Sequence, residues 1–358
     1  MRIIYYYPGS LSHNGKKASV IRPFLVSEFL KRARNAEVVY GNTDKRLLRL
    51  RALCEVANES TEQDRYIYID SSNMPLYLNE TRKLKFLWIL ELQLLKRLKN
   101  KGYKLVLFYR DAYWRDRAFD KPFQISWWLK FLFAHIEWQL IKSNVDLLLL
   151  PTKGFGNILP KNKLRHLEFL PGIISPNQRN NKLVRFRSEK LEMLYVGGLL
   201  PPFYDICDIL KLSRVSDSHL TICCRENEWA SIKGNFSKAE LKNVTIVHES
   251  SEDLANYYDN ADLFVDLRKS SGYYLNAFPY KYIESISYEV PVLIYNRGES
   301  ARIVRKNQWG KVVNDLQEAI EFIKVLQENR LDNQFRFSLT EHSYQARFFE
   351  MEKFLFEQ

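Results

Sequence analysis

Cysteine is scarce in this chain: Cys54, Cys207, Cys223 and Cys224 are the only four in 358 residues. They show no C-x-x-C spacing and no histidines at finger distances, which excludes a zinc finger and a disulfide framework and leaves four small residues expected in the interior. The thirteen glycines form neither G-x-G-x-x-G nor G-x-x-x-x-G-K-[ST], so the dinucleotide fingerprint and the P-loop are both missing. No D-x-D metal motif closes a strand. Apolar runs stay short of the roughly 18 to 20 residues that a membrane span needs. The start, MRIIYYYPG, reads as a strand and not as an export signal, so the chain is expected to stay in the cytosol.

What is present is length for two cores and charge placed unevenly. Residues 1 to 175 hold 30 Lys and Arg against 16 Asp and Glu, while the remainder holds 24 against 26. The whole positive excess therefore lies in the first half, which suggests a polyanionic partner there, an anionic membrane surface or nucleic acid. Its basic residues are spread over several helices with no reader motif, which argues against nucleic acid. Two of those helices, RKLKFLWILELQLLKRLKNK and ISWWLKFLFAHIEWQLIK, mix Trp, Phe and Leu with Lys, a composition that suits a membrane interface and equally suits helices half-buried on a sheet.

Runs of β-branched, Leu and aromatic residues recur at 2–7, 36–41, 65–70, 104–110, 145–150 and 166–170, separated by stretches of helical period. The rhythm restarts at LEMLYVGG (191–198) and continues through HLTICCR, NVTIVHE, ADLFVDLR, VPVLIY and GKVVN. SNVDLLLLPT and DNADLFVDLR echo each other across the halves. Strand and helix in alternation give parallel sheets covered by helices, hence an α/β protein of two Rossmann-like domains. The expected boundaries are 1–175 and 190–335, joined by the polar linker 175–190. A terminal helix, 336–358, either belongs to the second domain or crosses back to the first.

Function in open parallel sheets gathers at the carboxyl ends of strands. The turn after the first strand, PGSLSHNGKKASV, offers Gly15 as a close-approach point for phosphate. After the fourth strand, FYRDAYWRDRAFD crowds Arg110, Asp111, Trp114 and Arg115, with Asp111 a candidate base or half of an ion pair. In the second half, Gly197 and Gly198 follow a strand directly, and Arg225 ends the next one, placed to meet a diphosphate or simply to pair with Glu228. Arg268 closes ADLFVDLR. Ser270, Ser271 and Gly272 form a small-residue loop, Pro279 opens a helix, and Lys281 and Glu284 share one face of it.

The ordered set YVGG (195–198), Arg225, SSEDLANYYDNADLFVDLR and FPYKYIESISYEVPVLIYNRGESARIV resembles the C-terminal domain of GT-B glycosyltransferases, most closely family 4, also called group 1. The resemblance covers most of 191–315; in the first half it extends only to pattern, the turn after the first strand, Asp111 and FLPGI (169–173). It implies two domains facing across a cleft, with the donor held by the second. In the family's Glu-x7-Glu motif the second Glu, here Glu284, binds ribose hydroxyls, and the first, which touches the transferred sugar, is Asn276 in this chain. The family's basic residue after the first strand of this domain is missing from GGLLPP, which leaves Arg225, Lys281 and Arg268 to meet the diphosphate. Asp111 stands where members often have a catalytic His.

The resemblance implies a retaining hexosyltransferase that needs no metal or other cofactor, because protein cations and helix N-termini stabilise the departing nucleoside diphosphate. It would use a nucleotide-sugar donor and a lipid-linked saccharide acceptor in surface polysaccharide synthesis, at the inner face of the plasma membrane. A catalytically weak GT-B partner subunit that binds glycan, and a GT-B sugar-nucleotide epimerase, are the competing expectations.

Overall fold

The computed structural model describes residues 3–12, 18–57, 64–71, 87–115, 125–173, 190–200, 204–249, 253–269, 272–329 and 335–357. Gly15, Ser270, Ser271, nearly all of the 175–190 linker and the side chain of Trp127 lie outside them. The chain divides into two compact units, Met1–Leu170 with Arg347–Gln358, and Pro171–Ala346.

The first unit is built on one parallel sheet of six strands: β1 (Ile3–Tyr6), β2 (Glu37–Val39), β3 (Tyr66–Asp70), β4 (Lys104–Phe108), β5 (Leu147–Leu150) and β6 (His166–Glu168). Its order is β2-β1-β3-β4-β5-β6. This is the flavodoxin-type arrangement of a doubly wound sheet, with its switch point between β1 and β3. The central strands are continuous apolar runs because a parallel strand has helices over both faces; every residue of β1, β3 and β5 is buried. The connections are α1 (Ala18–Arg34), α2 (Thr43–Val56), α3 (Leu87–Asn100), α4 (Ile125–Asn144) and the single turn α5 (Phe155–Ile158). Asn42 starts α2, its side chain accepting the Lys45 N–H at 3.1 Å.

The second unit repeats the plan with β7 (Glu192–Val196), β8 (His219–Cys223), β9 (Val244–Val247), β10 (Leu263–Asp266), β11 (Val292–Tyr295) and β12 (Gly310–Val313). Here the order is β9-β8-β7-β10-β11-β12, the Rossmann order, and the switch point falls between β7 and β10. Helices α6 (Cys207–Val215), α7 (Glu226–Ile232), α8 (Leu254–Asn260), α9 (Tyr280–Ser287), α10 (Gly298–Asn307) and α11 (Leu316–Asn329) cover it. Its core joins Tyr195, Ile222, Val265 and Leu293 from the strands to Ile209 of α6 and Ile323 of α11.

The last helix, α12 (Tyr344–Phe356), ends with the first unit. Phe348, wholly buried, packs against Phe29, Tyr68 and Phe169 at centroid distances of 5.4, 5.1 and 5.6 Å. Glu352 accepts from Arg34 Nε at 3.1 Å and from the Tyr66 hydroxyl at 2.8 Å. Three cysteines are interior as expected, but Cys207 is exposed, because the first turn of α6 buries Ile206, Ile209 and Leu210 instead. Among the described residues no helix is long and apolar enough to cross a membrane.

Candidate active site

At the carboxyl edge of the second sheet, most of the residues singled out in the sequence come to neighbouring strand ends. Gly197 and Gly198 follow β7, Arg225 follows β8 as the residue before α7, Arg268 follows β10, and Asn276, Lys281 and Glu284 lie between β10 and β11. The turn after β7 is closed from several sides. Gly197 N–H donates to Cys223 O at 3.1 Å, Leu199 N–H to Glu228 Oε2 at 2.9 Å, and the Tyr195 hydroxyl to Gly198 O at 2.7 Å.

Arg225 is paired with Glu228, itself buried, while the arginine side chain is 64% exposed. The pairing with Glu228, one of the two expectations for Arg225, is therefore present. Glu228 is a residue that sequence reading undervalued: it ties α7 to both the Arg225 guanidinium and the turn after β7.

On α9, Lys281 Nζ lies 2.7 Å from Glu284 Oε2, the (i, i+3) pair anticipated from spacing, and the Tyr258 hydroxyl donates to the same oxygen at 3.3 Å. Burial pushes the Cys223 thiol up, against the lowering effect of its hydrogen bond to the Glu249 carbonyl. Pro279 precedes the helix with extended ψ, its ring fixing the backbone direction from which α9 departs.

Asn276 ends a 3₁₀ turn, Gly272–Asn276, entered through Gly272 at φ 55°. This turn is pinned against α10. A methyl group at Gly298, whose φ is +61°, would overlap the Leu275 carbonyl oxygen, so only glycine allows the approach. Ser300 Oγ donates to Ala277 O at 2.9 Å, so both neighbours of Asn276 are anchored.

The residues that sequence reading missed sit next to Arg268. Asp266, the buried last residue of β10, takes Nε and Nη2 of Arg268 and the Tyr282 hydroxyl at 2.8 Å. Burial alone would lower the Arg268 pKa, but the Asp266 carboxylate raises it, and the guanidinium stays charged. Burial, reinforced by Asp266, raises the Tyr282 phenol well above its usual value, so it remains a proton donor. Arg268 Cζ stands 5.0 Å from the centre of the Tyr204 ring, and a small polar cavity of about 30 Å³ is lined by Asp266, Arg268, Tyr274, Tyr282, Arg297 and Ser300. One signal was available: an aspartate and an arginine two apart, closing an otherwise apolar run.

In the first unit, Arg110 Nε lies 3.1 Å from Asp111 Oδ2, and Arg110 N–H donates to Ser71 Oγ at 2.9 Å. Asp111 is thus half of a partly buried ion pair at the end of β4. At the switch point of this sheet, Asp70 accepts from Arg22 at 2.7 Å and from Tyr5 at 3.3 Å, wholly buried. Between α3 and α4 lies an apolar cavity of about 60 Å³, lined by Leu92, Leu95, Phe133 and Leu140 among others. Ile89 and Leu90 on α3, with Trp128, Leu129, Leu132 and Ile136 on α4, are large apolar side chains exposed on the same helices. Among the described residues no three His, Cys, Asp or Glu side chains are placed to hold a metal ion.

Two parallel six-stranded sheets, each flanked by helices, with strand ends carrying the polar residues, make this a GT-B fold. Residues 179–343 match the family described as glycosyl transferases group 1, which bears out the resemblance of the second half. Sucrose-phosphate synthase from Thermosynechococcus elongatus is similar over 99% of this chain and 98% of its own, at 12% identity and a TM-score of 0.58. Anabaena HepE in complex with UDP-glucose is similar over 99% of this chain and 96% of its own, at 10% identity and a TM-score of 0.56. The chain spans only 58% of TarM, to which it is similar at 14% identity and a TM-score of 0.51. No curated protein matches the sequence.

Proposed function

We propose that the protein is a glycosyltransferase that moves a hexose-type sugar from a nucleotide-sugar donor to a lipid-linked saccharide acceptor in surface polysaccharide synthesis. The observation that carries this is the Lys281–Glu284 pair on α9, the helix between β10 and β11 of a Rossmann-ordered sheet. A carboxylate there suits the paired hydroxyls of a ribose, and a strand-end crevice suits the nucleotide as a whole. HepE, of like fold, is described in complex with UDP-glucose, and WaaG, similar at 13% identity and a TM-score of 0.54, as a glycosyltransferase of lipopolysaccharide biosynthesis. Both support the reading.

In this reading the donor contacts are Gly197, Gly198, Gly272, Arg225, Arg268, Lys281 and Glu284, with Gly15 and Ser271 from the loops outside the described residues. Asn276 hydrogen-bonds the transferred sugar, and Asp111 faces the acceptor. No metal is required, since the cations at these strand ends stabilise the leaving diphosphate, and transfer proceeds with retention. The basic first unit, with its exposed apolar residues on α3 and α4, meets the acceptor at the inner face of the plasma membrane.

The test is nucleotide release from UDP-, GDP- and dTDP-sugars by the purified chain, with and without a polyprenyl-diphosphate saccharide. Slow release from one donor, accelerated by the acceptor and reduced at least about tenfold by Glu284→Ala, is expected. Donor binding without release favours the partner-subunit reading that the uncharged Asn276 allows. No binding of any nucleotide contradicts both.

A further inference from the structure

We propose that Arg268 is the cation that receives the donor's diphosphate, and that Asp266 and Tyr282 are positioning residues that aim it. This rests on the donor-site reading above and names the group within that site that meets the phosphates.

The argument begins with the turn after β7. In a Rossmann-ordered sheet this turn borders the switch-point crevice, where a diphosphate is ordinarily met by backbone N–H groups or a nearby cation. Here two of those N–H groups are already committed, Gly197 to Cys223 O at 3.1 Å and Leu199 to Glu228 Oε2 at 2.9 Å. The following residues, Leu199 to Pro202, bring no cation. A phosphate at this edge therefore needs charge from another strand.

Arg268 supplies it from β10, the strand across the switch point from β7. Its guanidinium stands over the ring of Tyr204, 5.0 Å from the centroid, and the same ring lies 3.2 Å from where a Cβ on Gly198 would sit. Arginine, ring and glycine turn thus form one contiguous wall. Arg225 is placed less well, one strand further out, 64% exposed and paired with Glu228. Arg268 is 14% exposed, where a charge–phosphate contact is less weakened by water.

The pairing below Arg268 has the form of an aiming device. Asp266 takes Nε and Nη2, one edge of the planar fork, which leaves the Nη1 N–H groups outside that carboxylate pairing. Tyr282, from α9, bonds Asp266 Oδ2 at 2.8 Å and fixes the carboxylate in turn. Since α9 also carries Lys281 and Glu284, the residue that fixes Asp266 lies on the same helix as the groups proposed for the rest of the donor. The small polar cavity beside Arg268 is lined also by Tyr274 and Arg297.

The experiment is equilibrium titration of the full chain with UDP, GDP, ADP and dTDP, each beside its monophosphate. Arg268→Ala is expected to weaken the preferred diphosphate about tenfold or more while changing the monophosphate less than about twofold. Asp266→Asn and Tyr282→Phe should lower the same diphosphate-to-monophosphate ratio by smaller factors. Arg268→Lys should recover only part of it, because an ammonium cannot hold Asp266 by one edge and a phosphate by another.

Circular dichroism checks folding, and if Arg268→Ala does not fold, Arg268→Lys and Tyr282→Phe read the same ratio. Unchanged diphosphate affinity in the arginine variants, or equal loss for both phosphates, overturns the proposal while leaving the donor site in place. A wild-type chain that binds none of the eight nucleotides overturns both.

Discussion

Asp266 and Glu284 are both carboxylates at the carboxyl edge of the second sheet, yet their surroundings divide their roles. Asp266 is buried and matched by a guanidinium and a phenol; Glu284 is half-buried and shares one oxygen with Lys281 and Tyr258. Spacing made Lys281 and Glu284 legible, since three residues on a helix is a contact, whereas Asp266 sat inside an apolar run and read as part of a strand. Glu289 was illegible for another reason: it adopts φ 58° between α9 and β11, and glutamate has no preference for that region to betray it. Left-handed backbone costs an L-residue about 1–2 kcal/mol, and glycine returns roughly 0.5–1 of that in chain entropy. Glu289→Gly is expected to raise stability by about 0.5–1 kcal/mol, read as a higher urea midpoint with unchanged slope. A lower midpoint would show that the Glu289 side chain outweighs the strain.

At the scale of elements, the twelve strands among the described residues stand where the runs and their spacing place them, and the central ones are the plainest because a buried parallel strand must be apolar throughout. Strand order was not legible: period and composition are the same for β1 and β7, yet β3 lies beside β1 whereas β8 and β10 flank β7. That difference depends on where each crossover helix packs. The home of α12 was open for a similar reason, since aromatic residues at helical spacing fit either sheet. Its partners decide it: Phe29, Tyr68 and Phe169 around Phe348, and Arg34 and Tyr66 on Glu352. Phe348→Ala should cost about 3–5 kcal/mol and, in hydrogen exchange, expose β3 before β10. Loss of protection in β10 first would place the helix's main support elsewhere.

For the whole molecule, charge is the most legible feature and the least tied to any one residue. The first 175 residues carry 30 basic against 16 acidic side chains, and α4 in the same unit exposes Trp128, Leu129, Leu132 and Ile136. On the proposed reading, anionic vesicles bind the chain and zwitterionic ones do not. Screening over a Debye length of about 10 Å at 0.1 M salt weakens the attraction as salt rises. Leu132→Asp is expected to weaken cosedimentation with phosphatidylglycerol vesicles several-fold without moving the thermal midpoint. Equal binding to both vesicle types would remove the membrane from the account.

The central claim is that the second unit holds a nucleotide-sugar donor at the ends of β7, β8 and β10. A crystal structure of the chain with its preferred nucleoside diphosphate tests it most directly. The account predicts ribose hydroxyls within about 2.6–3.2 Å of the Glu284 carboxylate and the diphosphate against Arg268 beside the Gly197–Gly198 turn. A nucleotide seated away from these strand ends, with Glu284 still bonded only to Lys281 and Tyr258, would contradict it.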